Sequence, residues 1–128
     1  MRRVLILISA SLFPFACQRT QPIVDVEDAE IFTGSGKTPT TQQVQKAILQ
    51  AVVAKTWRVT KKEVGRIEAR FAKGDKVARI AIDYSPKSYS IRYVSSALLL
   101  YNEGSIHRRY NAWVRGLRVT IDRNLAKL

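Results

Sequence analysis

The side chains in this sequence that could support chemistry lie near its C-terminus, around a single histidine. His107 is the one histidine in the chain, and Asn111 follows it by one turn of a predicted helix. A neutral imidazole is a good general base, but hydrolysis would also need a nucleophile beside it. The serines that could approach it, Ser95 and Ser96, belong to another predicted element. We therefore predict a structural or hydrogen-bonding role for His107, with catalysis alongside Tyr110 or Asn111 as the alternative.

Metal and nucleotide chemistry are disfavoured by the ligands that the chain offers. Metal sites need three or four clustered ligands, yet no second histidine exists and no cysteine follows Cys17. Residues 34–38, Gly-Ser-Gly-Lys-Thr, resemble the end of a phosphate-binding loop. Ile31 stands where that motif requires a glycine, and Pro39 opposes a helix beginning at the lysine. We expect no metal, no cofactor and no nucleotide hydrolysis.

The start of the chain has the pattern of a bacterial lipoprotein signal. Two arginines precede an apolar run of thirteen positions, residues 4–16, and Ala16 comes directly before Cys17. This pattern predicts a signal peptide over residues 1–16 and acylation of Cys17. The run is too short for a transmembrane helix, which needs about 20 apolar residues. Acylation also accounts for a lone cysteine in an exported protein, where thiols normally pair. Plain secretion and an uncleaved anchor are the alternatives.

Gln18, rather than an aspartate, follows the cysteine. With Cys17 acylated, this resembles the outer-membrane sorting pattern of enterobacterial lipoproteins, and the resemblance implies an outer-membrane location with the domain facing the periplasm.

Charge is the strongest deviation in composition. The chain has 22 basic and 10 acidic residues, and 46% of its residues are hydrophobic, enough for one modest core. Removal of residues 1–16 would leave a balance of +10. Such a charge favours encounter with anionic surfaces, although a solvated basic surface without any ligand looks the same. Behind an export signal, the expected partners are anionic lipid, lipopolysaccharide or another envelope protein, and nucleic acid is not expected.

The chain after the cysteine divides into a tether and one domain. Proline, glycine and acidic residues interrupt any apolar period over residues 17–40, which predicts a flexible tether. Residues 41–128 are predicted to form a single domain. Thr40 and Gln43 match a capping box, and a helix with one apolar face should follow to about Lys55.

From Trp57 onward, apolar and polar residues alternate, which predicts strands. Three long strands, with a short one before them, should form an antiparallel meander because the connections are short. The apolar residues 97–101 would extend the last strand or form a turn. A second amphipathic helix is predicted to begin after Ser105 as its N-cap. We therefore predict a two-layer α+β domain, with a meander of three to four strands and an N-terminal and a C-terminal helix packed on one face.

The face of the last helix opposite its apolar side is basic. With the three polar residues near its start, it forms the candidate partner site, which comprises His107, Arg108, Tyr110, Asn111, Arg115, Arg118 and Arg123.

The segment Ile-His-Arg-Arg-Tyr-Asn-Ala-Trp-Val, residues 106–114, resembles a family of small proteobacterial lipoproteins of uncharacterised function. The similarity covers about residues 44–125, and the residues that carry it are His107, Tyr110, Asn111, Trp113 and Val114, with Tyr93, Ser95, Tyr101, Leu117, Ile121, Trp57 and Gly65 also placed as in that family. The resemblance implies an envelope lipoprotein with an α+β domain and supplies no activity or ligand.

We therefore expect a noncatalytic envelope lipoprotein, with two alternatives. One is a small envelope enzyme with a hydrolase-like site at His107. The other is a nucleic-acid-binding module, which applies if the leader is not an export signal. In that case tyrosines would have to be exposed beside the strand arginines Arg79 and Arg92.

Overall fold

The computed structural model describes residues 19–128, so the predicted signal peptide and Cys17 lie outside the described residues. The elements, in chain order, are β1 (Thr20–Pro22), β2 (Val26–Glu30), α1 (Thr41–Ala54), β3 (Arg58–Glu63), β4 (Arg66–Lys73), β5 (Lys76–Tyr84), β6 (Ser88–Ala97), β7 (Ser105–His107) and α2 (Arg108–Ala126). Within this range, neither helix combines the length and the apolar content needed to cross a bilayer.

The strands form a five-stranded antiparallel sheet in the order β2-β6-β5-β4-β3, and β1 pairs with β7 in a separate two-stranded sheet. The apolar faces of both helices and the inner residues of the large sheet form one core. The other face of the sheet is open, and we call it the open face. This arrangement confirms the predicted α+β domain with its meander, β3 to β6, and its two helices.

The first helix forms as its local signals predict. The Thr40 hydroxyl accepts from the Gln43 backbone N–H at 3.1 Å, and the Gln43 side chain accepts from the Thr40 N–H at 2.9 Å, which closes the capping box. The predicted apolar face is buried, and its members are Val44, Ala47, Ile48, Ala51 and Val52. Because the capping box and the spacing of apolar residues are both local signals, sequence alone locates this helix.

The strand faces also follow the alternation in sequence. On β5, Ile80, Ile82 and Tyr84 are buried in the core. The partner strand β6 carries one register shift opposite Arg79 and Ile80. Val94 is the extra residue there, and its side chain is 49% exposed. A bulge of this kind leaves one residue unpaired and turns it away from the regular alternation.

The prediction of a flexible tether over residues 17–40 is wrong for residues 20–30, because β1 and β2 occupy much of that range. Val26 is 6% exposed, and the Asp28 N–H donates to the Ser90 hydroxyl at 2.9 Å. Asp28 has φ 45°, and the β2–β6 register shifts between Val26 and Ala29. This irregularity removes the period of two by which a strand is recognised in sequence.

The last helix begins at Arg108 rather than after Ser105. Residues 105–107 form β7, which pairs with β1, and His107 rather than Ser105 is the N-cap. The β1–β7 pair joins residues more than eighty positions apart, so local sequence gives no sign of it. The amphipathic face is otherwise as predicted, and its buried residues include Val114, Leu117, Ile121 and Leu125.

The stretch that resembles a phosphate-binding loop covers the C-terminus of α2. The Gly34 N–H donates to the Ala126 carbonyl at 3.0 Å, and the Ser35 N–H donates to the Leu128 carbonyl at 3.1 Å. The Gly36 N–H donates to the Thr33 carbonyl at 3.2 Å. These three backbone donors are therefore already paired within the fold and are not free to bind a phosphate.

Candidate functional site

Asn111 holds the N-terminal segment against α2. Its side chain is buried, with 4% of the residue exposed. The amide oxygen accepts from the Val24 N–H at 3.1 Å, and the amide nitrogen donates to the Pro22 carbonyl at 3.0 Å. A longer contact, at 3.4 Å, reaches the Gln21 side chain. These bonds occupy the donor and acceptor of the amide, so its role is to fix the chain between β1 and β2.

Tyr110 belongs to the core. The residue is 1% exposed, and its ring lies edge-on to that of Tyr93, with centroids 5.6 Å apart. Tyr93 in turn stacks on Tyr101 at 4.6 Å. Burial of the Tyr110 phenol raises its pKa well above the usual value, with a smaller contribution from Asp25. The phenol is therefore protonated at neutral pH and packs as an aromatic side chain.

His107 caps the last helix with its ring. Nδ1 accepts from the Arg109 backbone N–H at 3.1 Å. Partial desolvation lowers the pKa of His107, and the nearby cations, Arg109 first, lower it further. The imidazole is therefore neutral at pH 7, as a capping acceptor must be. Within the described residues, no hydrogen bond joins this ring to Tyr110 or Asn111, so the structure does not bring the three residues together as a catalytic group.

A concave surface of about 560 Å³ lies beside His107, and we call it the basic cleft. Its lining residues are Arg19, Asp75, Lys76, Leu98, Leu100, His107, Arg108 and Arg109. Four of these side chains are cations, and Asp75 is the one carboxylate, 3.7 Å from Lys76 Nζ. Of the arginines predicted as a partner site, only Arg108 lies in this cleft.

The other predicted arginines, Arg115, Arg118 and Arg123, are exposed along α2. From Arg108 to Arg123, fifteen residues of helix span about 22 Å. Arg118 Nε lies 3.8 Å from Asp122, whose carboxylate also accepts from the Tyr89 hydroxyl. The four predicted arginines are thus spread along α2, and of these only Arg115 and Arg118 are neighbours at a spacing of three residues.

The alternation in sequence predicts arginines on the outer face of the meander, and a denser basic feature, whose alignment was not predicted, lies there on the open face. Arg58 is the register partner of Arg70, and Arg70 is the register partner of Arg79, across three adjacent strands. We call these three residues the arginine row. Arg58 and Arg79 are exposed, Arg70 is half-buried, and none of them has an ion-pair partner among the described residues. Each position is polar in its strand's alternation, but only the register reveals that the three align.

The neighbouring part of the open face is electrostatically compensated. Arg66 lies 3.0 Å from Asp83, and Arg92 bridges Asp83 at 3.0 Å and Glu27 at 2.8 Å. Hydrogen bonds from Arg92 hold the pKa of Glu27 below its usual value. Glu68 adds a further contact with Arg66 at 3.4 Å. The arginine row therefore differs from the rest of the open face because its arginines lack carboxylate partners, and not only because its charges are close together.

The described residues do not assemble a metal site, and two of the sheet tyrosines are buried. Across residues 19–128, no three His, Cys, Asp or Glu side chains are grouped so as to hold a metal ion. Tyr84 and Tyr89 are buried at 7% and 1% exposure, so neither ring is available for base stacking beside Arg79 or Arg92.

The chain matches no protein-family model, and no curated protein or solved structure is significantly similar to it.

Proposed function

We propose that this protein is a noncatalytic lipoprotein of the bacterial cell envelope, anchored in the outer membrane through an acylated Cys17 and facing the periplasm, and that its domain binds an anionic envelope partner through the arginine row. The leader, the lone cysteine and the resemblance of residues 106–114 to small proteobacterial lipoproteins support the location. The buried or capping roles of His107, Tyr110 and Asn111 support a noncatalytic protein.

The observation that carries the binding proposal is the alignment of Arg58, Arg70 and Arg79. Like charges directly opposite on neighbouring strands destabilise a sheet, by a few tenths to about 1 kcal/mol for each pair. The same sheet pairs Arg66 and Arg92 with carboxylates. Arginines without carboxylate partners, next to arginines that have them, are the arrangement expected where an external anion supplies the missing negative charge.

The chemistry of the row indicates the class of ligand. A guanidinium binds phosphate or carboxylate through two parallel N–H donors. Adjacent strands lie about 4.8 Å apart, so the row presents three such groups within about 10 Å. The partner should therefore carry clustered phosphates or carboxylates, and purified lipopolysaccharide is a suitable probe.

The test is a comparison of two variants with the same loss of charge. One replaces Arg58, Arg70 and Arg79 by threonine, and the other replaces the helix residues Arg115, Arg118 and Arg123 by serine. We expect the row variant to bind lipopolysaccharide at least tenfold more weakly than wild type and with a shallower salt dependence, whereas the helix variant should lose much less. Equal losses in the two variants would contradict a site at the row and indicate a response to net charge alone.

A stability measurement provides an independent check. Because Arg70 has a like charge on both sides, Arg70→Thr should raise the free energy of unfolding by about 0.5 kcal/mol while it weakens binding. The matched change Arg66→Thr removes an ion pair with Asp83 and should not raise it. A loss of stability in the Arg70 variant would remove the argument that the row is retained for binding.

A further inference from the structure

The N-terminal end of the described chain is fixed to the fold directly beside the basic cleft. The Arg19 carbonyl accepts from the Arg108 N–H at 2.9 Å, and Thr20 is the register partner of His107. Only Gln18 separates Arg19 from Cys17. Two residues of chain span at most about 7 Å in any conformation. If Cys17 carries the lipid, as the proposed function requires, the bilayer surface must lie next to Arg19.

An apolar loop projects from the same end of the molecule. Leu98 and Leu100 are 63% and 58% exposed, whereas Leu99 between them is 1% exposed. The Leu99 carbonyl accepts from the His107 N–H at 2.7 Å, which ties the loop to β7. Leu98 and Leu100 both have φ 58°, a conformation that is unfavourable for leucine. The fold thus holds two leucines exposed to solvent on either side of the buried Leu99.

Four cations share the lining of the basic cleft with these two leucines. Leu98 and Leu100 line the basic cleft together with Arg19, Lys76 and Arg108. Arg109 adds a fourth cation, and Asp75 is the one carboxylate of the lining. Exposed leucines beside basic side chains are typical of surfaces that bind anionic membranes, since the apolar groups enter the acyl boundary and the cations contact lipid phosphates.

We propose that this end of the domain, formed by Arg19, the loop of Leu98 and Leu100, and the basic cleft, docks directly on the anionic surface of the bilayer that holds the lipid anchor. This inference rests on the proposed acylation of Cys17. The two outward leucines insert at the interface, and the cations of the cleft bind lipid phosphates. The anchor and the docking surface then act as two linked membrane contacts, neither of which needs a long tether.

The docking geometry can be tested with single thiols in the full acylated chain. Cys17 is the only cysteine, and acylation blocks its sulfur, so an introduced cysteine is the one site for a polarity-sensitive fluorophore. Leu98→Cys places the probe on the loop. Val64→Cys is the matched control, because Val64 is 87% exposed and lies far from the basic cleft. Val64 comes just before the start of β4, whereas the other end of β4 leads through a hairpin to Lys76 of the cleft. Eight strand residues separate these two ends by about 25 Å.

Both labelled proteins are reconstituted into vesicles of phosphatidylcholine with phosphatidylglycerol. We expect a blue-shifted probe at position 98 that is protected from iodide at least fivefold more than the probe at position 64. Removal of phosphatidylglycerol should reduce that protection, since the cations then have no anionic lipid to bind. Replacement of Leu100 by Ser in the protein labelled at position 98 should also weaken the protection about five- to tenfold, because the remaining inserting leucine is lost.

The outcomes separate the docking inference from the proposed function. Intact-mass analysis of the same samples reports whether acyl chains are present. An acylated protein whose probe at 98 is quenched as readily as the probe at 64 overturns the docking while the anchor stands. A chain without acyl groups overturns the anchoring proposal itself, and with it the premise of the docking.

Discussion

Replacement of Asn111 by alanine should release the N-terminal segment from the domain while the main core stays folded. The buried amide makes two well-formed hydrogen bonds to this segment, with the Val24 N–H at 3.1 Å and the Pro22 carbonyl at 3.0 Å. Each such bond contributes about 1 kcal/mol net, and the contact with Gln21 at 3.4 Å adds little. The free energy for local opening of residues 20–24 should therefore fall by about 2 kcal/mol.

Amide hydrogen exchange measures this opening directly. The Ile23 N–H donates to the Gly104 carbonyl at 2.8 Å and makes no bond to Asn111, so it reports the segment rather than the deleted side chain. A loss of about 2 kcal/mol corresponds to roughly 30-fold faster exchange at Ile23. Amides of the central strand β5 should change much less.

Asn124→Ala is the matched control for this experiment. Asn124 is a partly buried asparagine on the same helix, and its side chain donates to the Ala47 carbonyl at 3.1 Å rather than to the N-terminal segment. This variant should lose about 1 kcal/mol of stability and leave exchange at Ile23 unaffected except through global unfolding. Unchanged exchange at Ile23 in Asn111→Ala would refute the account of Asn111 as the clamp.

Three further predictions concern caps and close packing. The pKa of His107 lies below its usual value, and protonation removes the acceptor for the Arg109 N–H. The free energy of unfolding should therefore decrease as pH falls through the normal histidine range. An NMR titration of the histidine and denaturant midpoints measured against pH check this. Gly34→Ala would place a Cβ 2.5 Å from the Ala126 carbonyl oxygen, so it should cost about 1–3 kcal/mol in urea unfolding, and an unchanged midpoint would contradict the close packing. Thr40→Ala should cost about 1 kcal/mol, measured in the same way, because it removes one half of the capping box, and a cost near zero would show that the cap contributes nothing.

Much of the fold was predictable because its signals are local. The capping box at Thr40 and the apolar spacing that follows locate α1, and the alternation from Trp57 onward locates the meander. The strands that were missed, β1, β2 and β7, are short and pair with distant parts of the chain. β2 is rich in acids and irregular at Asp28, and Val26 is its only fully buried residue. Pairing of this kind depends on the finished sheet rather than on the segment itself.

The candidate site was predictable in part. Asn111 and His107 attract attention from sequence as polar residues near an apolar helix. The partners of Asn111 lie in a segment that local sequence assigns to a tether, whereas the His107 ring accepts from the Arg109 N–H of its own helix. The arginine row depends on register across three strands, which a bulge or a one-residue slip would change. Leu98 and Leu100 belong to an apolar run that sequence cannot distinguish from a continued strand. Their exposure follows from two positive φ angles.

Intact-mass analysis of the native, membrane-extracted protein tests the central claim most directly. The account predicts a chain that begins at Cys17 and carries the added mass of acyl groups, recovered from the envelope fraction. A full-length chain with its leader in place, free of lipid and recovered from the cytosol, would contradict it.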